Sequence, residues 1–234
     1  MNAVKRPFIE HLEEFRRRIL ISLVSVIAAS VLSYAFAGRI LEFLARYVDR
    51  LIFISPQEAF LANLKISVIS GVVLSAPVIL YNALRFAWTA LEQREKALFA
   101  AYFASGLVLF AAGALFSFFV AIPAGMRFLL GFSTDLVRPY ISVSRYVSFV
   151  GFLVIAFSVC FEVPLLVAFF TRLGILSSDF LARKRRYCVV LLFVVAALIT
   201  PPDVITQVLL AVPLIALYEI SVLVSRAAEK KKRG

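Results

Sequence analysis

One histidine, two cysteines and a charged fraction of only 17% are what this 234-residue chain has least of. With His11 alone, and with Cys160 and Cys188 each inside an apolar run without ligand-like spacing, neither a zinc site nor a disulfide framework is expected. No G-x-S-x-G, H-E-x-x-H, P-loop or G-x-G-x-x-G pattern occurs, so the machinery of hydrolysis, phosphoryl transfer and dinucleotide chemistry is missing. The expectation is a protein that is not an enzyme and holds no cofactor. The shortage of charge also argues against a solvated globule, whose surface normally carries about a quarter charged residues.

What is abundant is apolar surface: 62% of the residues are hydrophobic and the mean hydropathy is +0.96, a composition suited to a bilayer. The charges that exist cluster between apolar runs. A net charge of +11 would fit nucleic acid only if the basic residues shared one exposed face; here they bracket hydrophobic spans, so no nucleic-acid partner is expected. The first apolar run is too long for the core of a cleaved leader, and it is read as retained.

A helix needs about 20 apolar residues to cross a membrane. Six runs qualify as candidates: Ile19 to Ala37, Leu61 to Phe86, Ala97 to Ile122, Tyr146 to Phe170, Tyr187 to Thr200 and Val204 to Val224. The expected fold is therefore an all-α integral membrane protein forming a single membrane domain, residues 1–234, with short fifth and sixth spans. The fifth run holds 14 residues, roughly 21 Å of helix against a hydrocarbon core of about 30 Å, and Pro201-Pro202 stops it. Two short spans with local bilayer thinning, or a hairpin that dips in and returns, both accommodate it.

Lys and Arg outside the runs number seventeen on the side of the two termini and six on the other, which places both termini in the cytoplasm. Lys65 and Arg85 lie near span ends, where long stems snorkel to the interface. The loop 38–60 is amphipathic, with Leu41, Phe43, Leu44 and Tyr47 among its apolar residues, and suits an interfacial helix on the outer surface.

A few polar groups stand at costly or exposed places. Glu162, in Phe161-Glu162-Val163-Pro164, lies well inside the fourth run; a carboxylate there costs about 2.5–3.5 kcal/mol on insertion scales and faces a cavity or a partner rather than lipid. A structural hydrogen bond near the Pro164 kink and a functional role, such as the proton carrier of a secondary transporter, both remain open. Asp203, after Pro201-Pro202, suits an N-cap, and Gln207, four residues on and on the same face, is the better helix-contact candidate. Glu10, Glu13, Glu14, Glu92 and Glu95 lie on the cytoplasmic side, where carboxylates suit an incoming arginine-bearing peptide. Pairing within a helix, as Glu14 with Arg18, is the alternative and is favoured by composition alone.

These residues together resemble the TatC family. His11-Leu12-Glu13-Glu14-Phe15-Arg16-Arg17-Arg18 is similar to its amino-terminal H-L-x-E-L-R-x-R motif, with Phe15 in place of the usual Leu. Ser75-Ala76-Pro77 through Tyr81, then Phe86 and Arg94-Glu95-Lys96, resemble its second span and following loop; Phe161-Glu162-Val163-Pro164 its fourth span; and Thr200-Pro201-Pro202-Asp203 with Gln207 its last turn. Tyr47 and Trp88-Thr89-Ala90 replace segments where the family commonly has Pro or Gly. The resemblance implies a concave, glove-like bundle in the cytoplasmic (inner) membrane that binds twin-arginine signal peptides of folded cargo. Glu14, Glu95, Phe86, Arg16 and His11 would form that site, while Glu162, Asp203 and Gln207 would contact the single-span partners TatA and TatB. Other TatC copies and the proton-motive force complete the implied system.

Overall fold

The computed structural model describes residues 5–48, 50–88, 98–133, 140–199 and 204–233. Among these the chain is helical throughout, apart from two short strands, and divides into two compact units: Met1–Leu107 with Ile141–Ser148, and Val108–Tyr140 with Phe149–Gly234.

The first unit is built on two long helices, α1 (Lys5–Tyr34) and α3 (Pro56–Trp88). They approach closely because α3 presents Ser67, Gly71 and Ser75 at four-residue spacing, the small-residue stripe that lets apolar helices press their backbones together. A Cβ added at Gly71 would lie 2.8 Å from the Ser30 backbone nitrogen. The buried hydroxyls are satisfied within their own helices: Ser67 donates to the Asn63 carbonyl at 2.7 Å and Ser75 to that of Gly71 at 2.6 Å. These two hydroxyls therefore leave no desolvation cost open, whereas the buried Ser33 Oγ of α1 has no hydrogen-bond partner among the described residues.

Between them lie α2 (Ala37–Leu44), a 3-10 turn (Ala45–Tyr47) and strand β1 (Leu51–Ile52). The segment expected as an interfacial helix is thus helical, and its axis turns 83° from that of α1. Ala37 buries against Ala62 and Ile66 of α3 and against Val143 and Val147. The strands were not foreseen. β1 pairs in parallel with β2 (Ile141–Ser142), Leu51 opposite Ile141. Glu58, in the first turn of α3, organises the junction: its carboxylate accepts from the Ile54 amide at 2.7 Å, the Ser144 amide at 3.2 Å and the Ser142 hydroxyl. Ser55-Pro56-Gln57-Glu58 is a capping-box spacing with Pro at the first helical position, here adapted to bridge two parts of the chain.

The remaining helices are α4 (Phe99–Phe116), a π turn (Ser117–Ala121), α5 (Ile122–Leu130), α6 (Val143–Phe161), α7 (Val163–Arg172), α8 (Ser178–Ile199) and α9 (Val204–Arg233). The π turn precedes Pro123, whose ring cannot sit over a normal helical carbonyl. Gly113 of α4 permits a second close approach: a Cβ there would lie 2.6 Å from the Phe157 carbonyl oxygen of α6. Gly174, with φ of 80°, ends α7, and the Ile175 amide folds back onto the Phe170 carbonyl at 3.0 Å.

The third run extends further than expected, to Leu130, because the π turn absorbs Pro123 without ending the helix. The fifth run belongs to a 22-residue helix rather than a 14-residue one, its first turns carrying Arg183 to Arg186. Among the described residues four helices are long and apolar enough to cross a membrane, Pro56–Ala87, Phe99–Leu130, Val143–Arg172 and Leu210–Glu229, and the bent pair Leu12–Tyr34 with Ala37–Tyr47 makes up to five. This is a multi-pass membrane protein.

Candidate functional site

The middle turns of α1 and the last turns of α3 border an apolar groove of about 480 Å³, lined among others by Phe15, Arg18, Leu23, Ile79, Asn82 and Phe86. Its mouth is made by two contacts. The Phe15 and Phe86 rings lie 5.1 Å apart and tilted at 48°, so Phe at position 15 keeps the apolar contact that a Leu would make. Arg18 donates from Nε to Glu14 at 3.1 Å, with a second, closer contact from its terminal nitrogen. The Arg18 side chain is only 15% exposed and that of Glu14 33%. The pair is the i, i+4 pairing expected from sequence, but it stands over an apolar wall instead of in open solvent.

Beside this groove, Tyr81 packs edge-on against Phe99 and Phe103 of α4, with centroids 5.6 and 5.9 Å apart. Arg85 donates to the Tyr81 hydroxyl and lies 5.7 Å from the ring centroid. Arg85 is therefore docked rather than loosely snorkelling. This cluster fixes the helix ends that flank 89–97.

Phe86 lines the groove, and Glu14 is joined to it through Arg18, which lines it as well. Arg16 is exposed on α1 and makes no ion pair among the described residues. The His11 side chain, Glu95 and Asp203 lie outside the described residues. The groove's inner wall, Leu23, Val26, Ile79 and Asn82, was missed by sequence reasoning. Its only signal is the apolar periodicity that every buried helix face shares.

Glu162 interrupts the fourth run. It sits between α6 and α7 at the start of α7, with Pro164 next but one. Its side chain is 8% exposed, so it does not face lipid, and its Oε1 is buried without a hydrogen-bond partner among the described residues. Gln207, in the first turn of α9, donates to the Phe193 carbonyl of α8 at 3.0 Å, so its amide ties one helix to the other. No cluster of metal-ligating side chains occurs among the described residues.

Long apolar helices, a carboxylate–guanidinium pair beside an apolar groove, and a buried carboxylate between two helices define a polytopic helical membrane protein. The family model for the Sec-independent protein translocase protein TatC matches residues 10–213. The TatC of Aquifex aeolicus is 39% identical, covering 97% of this chain and 98% of its own length; that of Desulforapulum autotrophicum is 37% identical, covering 97% and 87%. A crystal structure of the twin arginine translocase receptor TatC superposes with a TM-score of 0.87 at 39% identity, covering 94% of this chain and 99% of the other. The chain belongs to the TatC family of Sec-independent protein translocase proteins. Its role is therefore transport of protein rather than catalysis, and nothing in these matches supports a proton-coupled solute transporter built on Glu162.

Proposed function

We propose that this chain is the receptor subunit of a twin-arginine translocase, binding the signal peptides of folded cargo at the groove between α1 and α3. The observation that carries the reading is Glu14. It is a partly exposed carboxylate, already holding a guanidinium through two nitrogens, tied to an apolar groove rimmed by Phe15 and Phe86. A carboxylate in that setting accepts a peptide arginine as a bidentate, charge-assisted pair. Phe86 would pack on the arginine stem. Glu95 would supply the second carboxylate, and Arg16 and His11 would bound the site on α1.

In the same reading the chain lies in the cytoplasmic membrane as one domain of six spans, α8 being the short fifth, with both termini on the side rich in Lys and Arg. Glu162, Asp203 and Gln207 would receive the single-span partners TatA and TatB, further TatC copies would complete the assembly, and the proton-motive force would drive export. The buried, unsatisfied Oε1 of Glu162 favours a partner's hydrogen-bond donor there, since an unpaired buried carboxylate is costly.

The test is binding of a fluorescent twin-arginine peptide to the purified chain, with a twin-lysine peptide and the Glu14→Ala and Glu95→Ala variants alongside. Binding that is lost in all three controls supports the receptor; equal binding of the twin-lysine peptide reduces the site to unspecific charge and overturns it.

A further inference from the structure

Lys65 points to a second binding site, on the outward-facing side of α3 in the first unit and remote in sequence from the groove. Its ammonium donates to the Ser144 hydroxyl at 2.7 Å and to the Ser148 hydroxyl at 2.9 Å, both on the facing turns of α6. Both partners are neutral. The Glu58 carboxylate, two turns back on the same helix, is taken up by the Ile54 and Ser144 amides and the Ser142 hydroxyl, and Lys65 makes no ion pair among the described residues. A fixed, two-point-held cation with an uncompensated charge is an anion site in waiting, since intramembrane charges are otherwise paired or hydrated.

Its surroundings identify the anion. Val68, one turn on from Lys65 toward Arg85, is 47% exposed and the neighbouring Leu64 is 44% exposed; on a membrane helix such apolar surface meets lipid. Between Lys65 and Arg85 the sequence of α3 carries no charge. Twenty residues separate them, about 30 Å of helix, the thickness of the hydrocarbon core. Lys65 therefore stands at the level of the lipid headgroups, with acyl-chain surface directly beneath it. Arg145, exposed and between the two serines in sequence, adds positive charge within the same turn of α6.

We propose that Lys65, Ser144 and Ser148 form a binding site for the phosphate of an anionic phospholipid. The ammonium and the Ser144 hydroxyl contact the phosphate oxygens, and the lipid's acyl chains lie along Val68 and the apolar turns of α3 that follow it. A zwitterionic lipid carries its own cation and is the poorer ligand.

The test is native mass spectrometry of the full chain in mild detergent, titrated with phosphatidylglycerol or with phosphatidylcholine of the same chains, and separately with inorganic phosphate. The first phosphatidylglycerol bound to wild type is expected to be held about fivefold more tightly than phosphatidylcholine, with Lys65→Gln removing that preference. The Ser144→Ala/Ser148→Ala double variant, which keeps the charge, weakens it by a smaller factor and serves if Lys65→Gln fails to fold. Unchanged phosphatidylglycerol affinity in a folded variant of either kind overturns the site. Inorganic phosphate that displaces the lipid at equal concentration overturns the lipid as its occupant.

Discussion

The α1/α3 pair and the α7, α8 and α9 group are both helices pressed together in apolar surroundings, yet they are joined by different chemistry. At the α1/α3 seam a glycine brings backbones into contact, and the serines beside it spend their hydroxyls on their own helix. In the other group, side chains reach across. Thr171 and Ser225 hydroxyls lie 2.9 Å apart, Tyr218 donates to the Leu181 carbonyl at 2.6 Å, Glu229 accepts from both the amide and hydroxyl of Ser178 at 2.7 Å, and Arg185 donates to Glu219 at 2.8 Å. Since lipid removes most of the hydrophobic drive between helices, packing and hydrogen bonds are the two ways left to hold them. Packing alone leaves the α1/α3 seam tight at Gly71 and hollow beside the Phe15–Phe86 contact, where the apolar groove lies.

Overfilling the seam is the severest way to break that contrast. Gly71→Val should destabilise the protein by about 3 kcal/mol, read as thermal unfolding in detergent, whereas Gly38→Ala, with nothing within 4 Å of its added Cβ, should change it by less than about 0.5 kcal/mol. At the open end, Glu14→Ala should weaken twin-arginine peptide binding at least tenfold, about 1.5–3 kcal/mol for a hydrogen bond to a charged group, while leaving the melting temperature nearly unchanged. In the cross-linked group, Thr171→Val should cost about 1–2 kcal/mol, because the buried Ser225 hydroxyl loses its partner; a smaller loss than at Gly71 would sharpen the distinction. The mildest effect is expected for Arg185→Gln, about 0.5 kcal/mol or less, since both side chains of that pair are well exposed, at 51% and 39%.

Helix positions were largely legible because the apolar runs are long and punctuated by charge. Val143–Arg172 and Leu210–Glu229 sit on runs read from composition, and the helical α2 follows from the amphipathic loop. Glu162 stood out because a carboxylate inside an apolar run is costly enough to be conspicuous, whereas Glu14 and Phe86 were singled out by the family resemblance. Other features were invisible for equally physical reasons. The β1/β2 pairing joins two-residue segments about 90 positions apart, far too short for periodicity to register. The α5 extension depended on a π turn that makes room for Pro123, where sequence rules predict a break.

By itself the sequence determined that this protein lives in a membrane, roughly where its helices lie, and which carboxylates are expensive. Those properties follow from transfer free energies and charge counts, which are local sums over residues. Tertiary structure alone decided that Arg18 covers Glu14 over an apolar wall, that Gly71 sets the depth of the α1/α3 seam, and that Lys65 is held by hydroxyls of another helix rather than by a counter-ion. Each of those depends on which faces of separate helices meet, and a face has no partner until the chain has packed.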